Sequence, residues 1–188
     1  MKKMFFALLA LILASGAAFA VEGAVINIKA GLDTAGNMSA SRDGNGNKRV
    51  KVGISLTGEY LFKMNDIVKL GGGMEYLLPR DFDTEFAPSF SFLPIYLSAE
   101  ITPIPPLREL YFKGNIGYNV LFDYDYELLK FDEKGGMYFA IGAGYVFDFG
   151  LFLETLYGFY YGSLSGGLLD IGVAYTKLGF NAGYRFNI

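Results

Sequence analysis

Hydrophobic and polar residues alternate along most of this chain, and residues 50–62 show the pattern most clearly. The even positions carry the apolar side chains of Val50, Val52, Ile54, Leu56, Tyr60 and Phe62, and the odd positions carry Lys51, Gly53, Ser55, Thr57 and Glu59. Successive side chains of a β-strand point to opposite faces of the sheet. The pattern therefore predicts a strand with one apolar face and one polar face.

The same alternation recurs up to the last residue and predicts eight strands. We place them at residues 25–34, 49–62, 67–78, 90–102, 109–122, 136–147, 151–161 and 178–188. Long connections at 35–48, 79–89, 123–135 and 162–175 alternate with short turns. Ile171, Val173 and Tyr175 also alternate, but the phase slips near Thr176 and Lys177, which we interpret as a strand extension or a bulge.

Residues 1–20 have the three parts of a secretory signal peptide. Lys2 and Lys3 form a basic start, an apolar run follows, and Ala18-Phe19-Ala20 is a small-x-small cleavage site. The alternative is a membrane-spanning helix, but the apolar run is short for the roughly 20 residues that a span requires. We predict cleavage after Ala20, which leaves residues 21–188 as a single domain.

Composition narrows the class of protein. The hydrophobic fraction is 52%, yet after residue 20 no segment is apolar for long enough to form a transmembrane helix. A barrel spreads its apolar residues over many short strands. Together with the secretory signal, this predicts an all-β fold, an eight-stranded antiparallel up-and-down transmembrane β-barrel in a bacterial outer membrane. Short turns are then expected in the periplasm and long loops outside.

Charge and cysteine content exclude other classes of protein and site. Without Lys2 and Lys3 the chain has 14 basic and 19 acidic residues, a net charge of −5 that disfavours a nucleic-acid partner. The chain contains no Cys, so it has neither a disulfide nor a thiolate metal site.

Residue size decides which face points inward. The polar face carries many glycines, whereas the apolar face carries most of the Leu, Ile, Phe and Tyr residues. The interior of an eight-stranded barrel is only just wide enough for side chains to fill it. We therefore expect the apolar face to contact lipid. The alternative is a soluble, lipocalin-like barrel with an apolar pocket.

Charged residues on the polar face predict a plugged lumen. Four cations and four anions lie there: Lys51, Lys69, Lys113 and Arg185 with Glu59, Glu75, Glu100 and Glu154. Because an unpaired buried charge is costly, we expect these groups to pair across the lumen. The alternative is a narrow conduit for small solutes; a wide porin would need about 16 strands.

Candidate chemistry is sparse. The chain has no His, the usual proton shuttle of outer-membrane hydrolases, and we predict no catalytic residue, no cofactor and no metal site. The predicted loops contain acidic residues such as Asp81, Asp83 and Asp125. These residues indicate either a solvated surface or a site at which divalent cations bridge the loops to lipopolysaccharide. We expect a non-catalytic structural or surface-interaction role through the extracellular loops, with the narrow channel as the alternative.

Three segments resemble the small outer-membrane β-barrel proteins of the OmpA/OmpX type, also described as porin-family barrels. They are residues 111–119, residues 140–145 and the terminal Gly183-Tyr184-Arg185-Phe186. The C-terminal sorting pattern of this group is matched by Asn181, Gly183, Phe186 and Ile188, although Phe is the usual last residue. The resemblance implies insertion by the barrel assembly machinery and contact with outer-membrane lipid and lipopolysaccharide.

Overall fold

The strands of the chain close into a barrel. A computed structural model describes residues 23–41, 47–83, 89–103, 109–122, 132–166 and 169–188. Its strands are β1 (Ala24–Asp33), β2 (Gly36–Ser41), β3 (Asn47–Val50), β4 (Gly53–Lys63), β5 (Val68–Arg80), β6 (Phe90–Ile101), β7 (Leu110–Phe122), β8 (Asp132–Val146), β9 (Leu151–Gly166) and β10 (Leu169–Asn187). Within these ranges no helix is long and apolar enough to cross a membrane. The predicted signal peptide lies outside the described residues.

Antiparallel pairing joins neighbouring strands, and β1 closes the sheet against β10. Both β1 and β2 pair with β10, one after the other, so they form a single strand interrupted at residues 34–35. In the same way β3 and β4 pair with β2 and β1 and are interrupted at residues 51–52. The ten segments therefore form eight strands, which confirms the predicted eight-stranded antiparallel barrel.

The two interruptions shift the alternation by one residue. Asp33 and Gly36 are both buried although their numbers differ in parity, and Val50 is completely buried with the interior residues. Lys51, which we predicted to face the lumen, is exposed. We predicted Val50 on the outer face and Lys51 on the inner face, and both predictions are wrong. The residues that link β3 to β4 do not pair with a neighbouring strand, so the alternation of even and odd positions is broken there.

A bulge in β5 has a similar effect. The register between β5 and β6 shifts between Leu77 and Arg80, where Pro79 interrupts the pairing. Leu77 and Arg80 both become fully buried, although uninterrupted alternation would put them on opposite faces.

The last hairpin differs most from the sequence-based expectation. β9 and β10 pair without a register shift from Leu169↔Gly166 to Tyr184↔Leu151, so the predicted loop at 162–175 is mostly strand. Of the two interpretations of the phase slip, the strand extension is confirmed, whereas no bulge is present at Thr176 and Lys177. Val173, Tyr175 and Lys177 are all buried and point into the lumen, so the backbone alternation continues along β10. The sequence pattern changes there because the lumen changes from apolar to ionic along this strand.

The outer surface of the barrel is apolar over most of its height. Large hydrophobic side chains are exposed on every side of the barrel, for example Leu32, Leu97, Ile116, Ile141, Leu153 and Phe180. Aromatic pairs mark both edges of this band: Tyr60 with Phe62 and Tyr184 with Phe186 at the short-turn end, and Phe139 with Phe159 towards the long-loop end. The predicted lipid-facing surface is therefore present.

Candidate functional site

Two lysines and two glutamates form a closed arrangement of ion pairs in the lumen. Lys29 Nζ lies 2.9 Å from Glu59 Oε1 and also pairs with Glu154 Oε1. Lys113 Nζ lies 2.6 Å from Glu59 Oε2 and 3.1 Å from Glu154 Oε2. Each lysine thus bridges both carboxylates. We call Lys29, Glu59, Lys113 and Glu154 the charge square.

Neutral donors complete the coordination of both carboxylates. Tyr96 Oη donates to Glu59 at 2.9 Å, and Asn27 Nδ2 donates to it at 3.1 Å. Tyr111 Oη donates to Glu154 at 3.1 Å, and Asn181 Nδ2 donates to it at 3.2 Å. Each carboxylate therefore accepts from two lysines, one tyrosine and one asparagine, which matches its capacity of about four hydrogen bonds. Both carboxylates of the charge square are therefore fully satisfied, and each lysine donates to both of them.

A second group lies between the charge square and the short-turn end. Arg185 binds Glu100 through both terminal nitrogens, at 3.0 and 2.6 Å, and donates from Nε to Asn27 at 2.9 Å. The Arg185 guanidinium also lies 5.2 Å from the centre of the Tyr111 ring. Lys69 pairs with Glu100 at 2.5 Å but keeps 19% of its side chain exposed, so it marks the mouth of the lumen.

A third group lies on the opposite side of the charge square. Lys177 Nζ lies 2.8 Å from Asp33 and 2.7 Å from Glu75, and Arg80 also pairs with Asp33. Tyr160 Oη donates to Glu75 at 2.9 Å. This group adds two cations and two anions to the buried charges, so it is neutral within itself.

Seven of the eight predicted lumen residues take part in these contacts: Glu59, Lys69, Glu75, Glu100, Lys113, Glu154 and Arg185. Lys51 does not, because it is exposed beside the strand interruption. Sequence reasoning missed Lys29, Asp33, Arg80 and Lys177 as members of the network. Alternation alone would have found Lys29 and Asp33, which occupy polar-face positions of the first strand. Arg80 was missed because we predicted a loop at 79–89, whereas the structure extends β5 past its bulge to Arg80. The misread phase of β10 hid Lys177.

Towards the long-loop end the lumen becomes an aromatic core. Phe92 stacks on Tyr160 with ring centres 5.7 Å apart and on Tyr175 at 6.0 Å, and Phe90 meets Tyr175 edge to face at 5.5 Å. These rings belong to one buried cluster with Met38, Val50, Leu77, Phe82, Tyr96, Leu121, Tyr138, Ala140, Leu164 and Val173. The sequence alternation places Phe92, Tyr96 and Tyr111 on the inner face but does not predict an aromatic cluster there. The long-loop half of the barrel is packed like the core of a soluble protein.

The side chains of the described lumen are buried, among the charged groups as well as among the aromatic rings. Glu59 retains 1% of its accessible surface, Glu154 retains 2%, and Phe90 and Phe92 retain none. A water-filled pore would leave such glutamate and phenylalanine side chains in contact with water. Two hollows of about 250 and 270 Å³ lie at the short-turn mouth and share Lys69 and Asn187 in their walls.

Inward-facing glycines make room for the largest lumen side chains. A Cβ atom at Gly144 would overlap the ring of Tyr111, and one at Gly53 would overlap the guanidinium of Arg80. The polar face is rich in glycine because the strands approach these side chains closely.

Three residues of the predicted sorting signal lie on the two faces of β10, and Ile188 follows the end of that strand. Asn181 points inward to Glu154, and a Cβ atom at Gly183 would lie 2.6 Å from Lys29 Cβ. Phe186 and Ile188 are 45% and 40% exposed. Asn181 and Gly183 therefore contribute to lumen packing, whatever their role in sorting.

Comparisons with known proteins agree with this geometry. The sequence model of the family described as outer membrane protein beta-barrel domain matches residues 6–186. No curated protein matches the chain in sequence. Solved barrels that are similar in structure include the three below, and their low sequence identities establish the fold alone.

The first is Ail, the attachment invasion locus protein of Yersinia pestis, with a TM-score of 0.54 and 16% identity over 88% of this chain and 100% of Ail. The outer membrane protein OprG from Pseudomonas aeruginosa has a TM-score of 0.53 and 16% identity over 89% and 97% of the two chains. Neisserial surface protein A (NspA) has a TM-score of 0.52 and 18% identity over 88% and 100%.

Proposed function

The chain belongs to the outer membrane protein β-barrel domain family, and from this membership we propose that it is a sealed, non-catalytic barrel that acts through its extracellular surface. Membership makes it an integral protein of the bacterial outer membrane. The sealed lumen, the absence of catalysis and the surface role are the parts that we propose.

The charge square is the observation that supports a sealed lumen. Its two carboxylates have no free lone pair for a passing ion, and its two lysines are each held by two acceptors. Removing one member of a buried ion pair typically costs about 3–5 kcal/mol, so an arrangement that opens the square is rarely populated. The aromatic core supports the same conclusion because it excludes water from the extracellular half.

The same contacts support a non-catalytic role. An acid–base or nucleophilic site needs a titratable group within reach of a substrate. The lumen carboxylates Glu59, Glu75, Glu100 and Glu154 are buried and hydrogen-bonded to protein donors. The chain also has no His that could act as a proton shuttle.

A narrow channel is the second candidate function. The hollows at the periplasmic mouth favour it, because they lead water as far as Lys69 and Arg185. Conduction would also require a path past the charge square and the aromatic core. We therefore place it second.

Planar-bilayer recording tests the sealed barrel against the channel. The full chain is reconstituted, its insertion is verified by heat-modifiable migration on gels, and an open porin serves as the conducting control. We expect a silent bilayer containing inserted protein. Reproducible conductance steps from the wild-type chain, absent from protein-free membranes, would establish the channel and refute the seal.

The remaining partners are proposals of the same kind. We propose that the barrel assembly machinery inserts the chain through the signal at Asn181, Gly183, Phe186 and Ile188, and that lipopolysaccharide surrounds its extracellular rim. Ail is named for attachment and NspA as a surface protein. A role at the cell surface agrees with those names, but our argument for it rests on the closed lumen of this chain.

A further inference from the structure

The larger hollow at the short-turn mouth has charged groups of both signs in its wall. It has a volume of about 270 Å³ and is lined by Lys69 and Arg185 on the side of the lumen, and by Glu109 and Asp148 next to the ends of β7 and β8. Asn187 also lines it, and the neighbouring hollow of about 250 Å³ shares Lys69 and Asn187. We call Lys69, Asn187, Glu109 and Asp148 the mouth site.

Lys69 supplies a cation that the protein satisfies only in part. Its Nζ lies 2.5 Å from Glu100 Oε1, but both oxygens of Glu100 also accept hydrogen bonds from Arg185. Two cations thus share one carboxylate, and this group carries one positive charge in excess. An ammonium group has three N–H donors. Within the part of the chain that the structure describes, Lys69 donates only to Glu100 and keeps 19% of its side chain exposed, so it has donors for a ligand.

Glu109 and Asp148 supply carboxylates that no cation neutralises. Among the described residues neither forms an ion pair, although both line the same hollow as Lys69. The nitrogen and oxygen atoms of an ion pair lie within about 4 Å of each other, so these carboxylates are further than that from the ammonium. Opposite charges therefore face one hollow without reaching each other.

Backbone contacts hold the acidic side of the mouth site in place. Gly150 adopts a φ of 91°, in the left-handed region that favours glycine, and ends the turn that carries Asp148. The Arg185 N–H donates to the Gly150 carbonyl at 2.8 Å, which ties this turn to β10. The Val146 N–H donates to the Glu109 carbonyl at 2.8 Å. Because the charged groups stand on fixed backbone, a ligand loses little affinity to ordering the site.

We propose that the mouth site binds a short zwitterionic peptide, with the peptide carboxylate at Lys69 and its ammonium group at Glu109 and Asp148. The Asn187 amide can donate to the same carboxylate. An anion alone would lie beside two carboxylates, and a cation alone would lie beside an ammonium, so the hollow favours a ligand that carries both charges. A cavity of about 150 Å³ holds a benzene ring, so this hollow has room for a dipeptide. Phe147 adds an apolar part of the wall for its carbon atoms.

The inference goes beyond the proposed function and does not depend on a sealed lumen. The mouth site lies on the short-turn side of the charge square, so binding there requires no passage through the barrel. In the proposed orientation the hollow opens to the periplasm, which is where the peptide would come from.

Four probes separate the two charges of the ligand. Diglycine carries both charges, diglycinamide lacks the carboxylate, N-acetyldiglycine lacks the ammonium group, and glycine carries both charges on a shorter chain. Each is titrated into the isotope-labelled full chain in detergent micelles, where shifts of amide resonances near Lys69 and Asn187 report the site and the Kd. We expect diglycine to bind about tenfold more tightly than each of the other probes. If a singly charged probe or glycine binds as tightly as diglycine, the inference is wrong.

Substitutions on the two sides of the hollow should affect different probes. Asp148→Asn should weaken the binding of diglycine and diglycinamide without weakening that of N-acetyldiglycine. Lys69→Gln should weaken the binding of diglycine and N-acetyldiglycine without weakening that of diglycinamide. Glu100 keeps both of its contacts with Arg185 in the Lys69 variant, and heat-modifiable migration verifies that each variant is folded.

Asp83→Asn and Lys134→Gln are the matched controls, because both residues are exposed at the long-loop end of the barrel. Neither substitution should change the binding of any probe. Losses in these controls equal to those in the mouth variants would indicate a general charge effect and overturn the site. Absence of peptide binding in a barrel that stays silent in bilayers would contradict this inference alone, whereas conductance together with peptide binding would contradict only the sealed lumen.

Discussion

Lys29 and Lys113 occupy diametrically opposite strands of the barrel yet bind the same two carboxylates. Three strands separate β1 from β7 in either direction around the sheet. Both ammonium groups nevertheless contact Glu59 and Glu154, which lie on β4 and β9. These four side chains therefore connect strands on all sides of the lumen. A change that opens the lumen at this level would also break contacts that stabilise the barrel.

Removing one carboxylate from the charge square should destabilise the barrel strongly. Glu154→Gln leaves two buried lysines with a single shared anion, and we expect the free energy of unfolding to fall by about 3–5 kcal/mol. Urea titration of vesicle-inserted protein, followed by heat-modifiable migration, measures this change. Asp66→Asn is the control, because the Lys63–Asp66 pair is close, at 2.8 Å, but exposed, and such pairs contribute about 1 kcal/mol or less. Equal effects of the two variants would contradict the assignment.

A methyl group at Gly144 should be harmful even though alanine is small. The added Cβ would overlap the Tyr111 ring, which is buried and bound to Glu154. We expect Gly144→Ala to cost about 1–3 kcal/mol in unfolding free energy, as overpacking does in closely packed interiors. Gly114→Ala, with open space around the new methyl group, should cost much less. If both variants unfold at the same urea concentration, close packing at Gly144 does not limit stability.

The aromatic core should contribute as much to stability as the core of a soluble protein does. Phe92 is fully buried between Tyr160 and Tyr175, and Phe92→Ala should lower the free energy of unfolding by about 3–5 kcal/mol. Phe149→Ala removes the same ring from an exposed turn and should change it little. The same urea titration compares the two. A loss no larger at Phe92 than at Phe149 would mean that the lumen aromatics are loosely packed.

Secretion should remove the first 20 residues. N-terminal sequencing of the protein recovered from outer membranes should begin at Val21, because Ala18 and Ala20 supply the small residues that the signal peptidase requires. Ala20→Arg should leave an uncleaved precursor of higher mass. A wild-type protein that retains Met1 in the outer membrane would disprove the predicted processing.

The faces of several strands could be predicted because alternation is a local property. Asn27, Lys29 and Asp33 are buried in β1, whereas Ile28 and Leu32 on its other face are exposed, as their positions in the sequence indicated. A side chain reaches one face or the other through the geometry of its own strand. No information about distant residues is needed for that step.

Interruptions of the ladder could not be predicted in the same way. An interruption of one residue reverses the assignment of all residues on its far side, and for this reason Val50 and Lys51, which precede β4, were placed on the wrong faces. After Ile171 to Tyr175 we inferred a change of phase where the structure has none. A change in lumen chemistry resembled a change in backbone phase, although β10 pairs with β9 without a shift.

The sequence by itself determined that this chain forms a barrel with an apolar outside, because the alternation over eight strands is present in consecutive residues. Only the tertiary structure decided that Lys29 meets Glu154, that Arg80 and Lys177 join the buried charges, and that aromatic rings fill the long-loop half. The physical reason is that contacts across a lumen depend on the stagger of all the strands around the barrel. That stagger is set by bulges and by the final pairing of β1 with β10, which no single segment specifies.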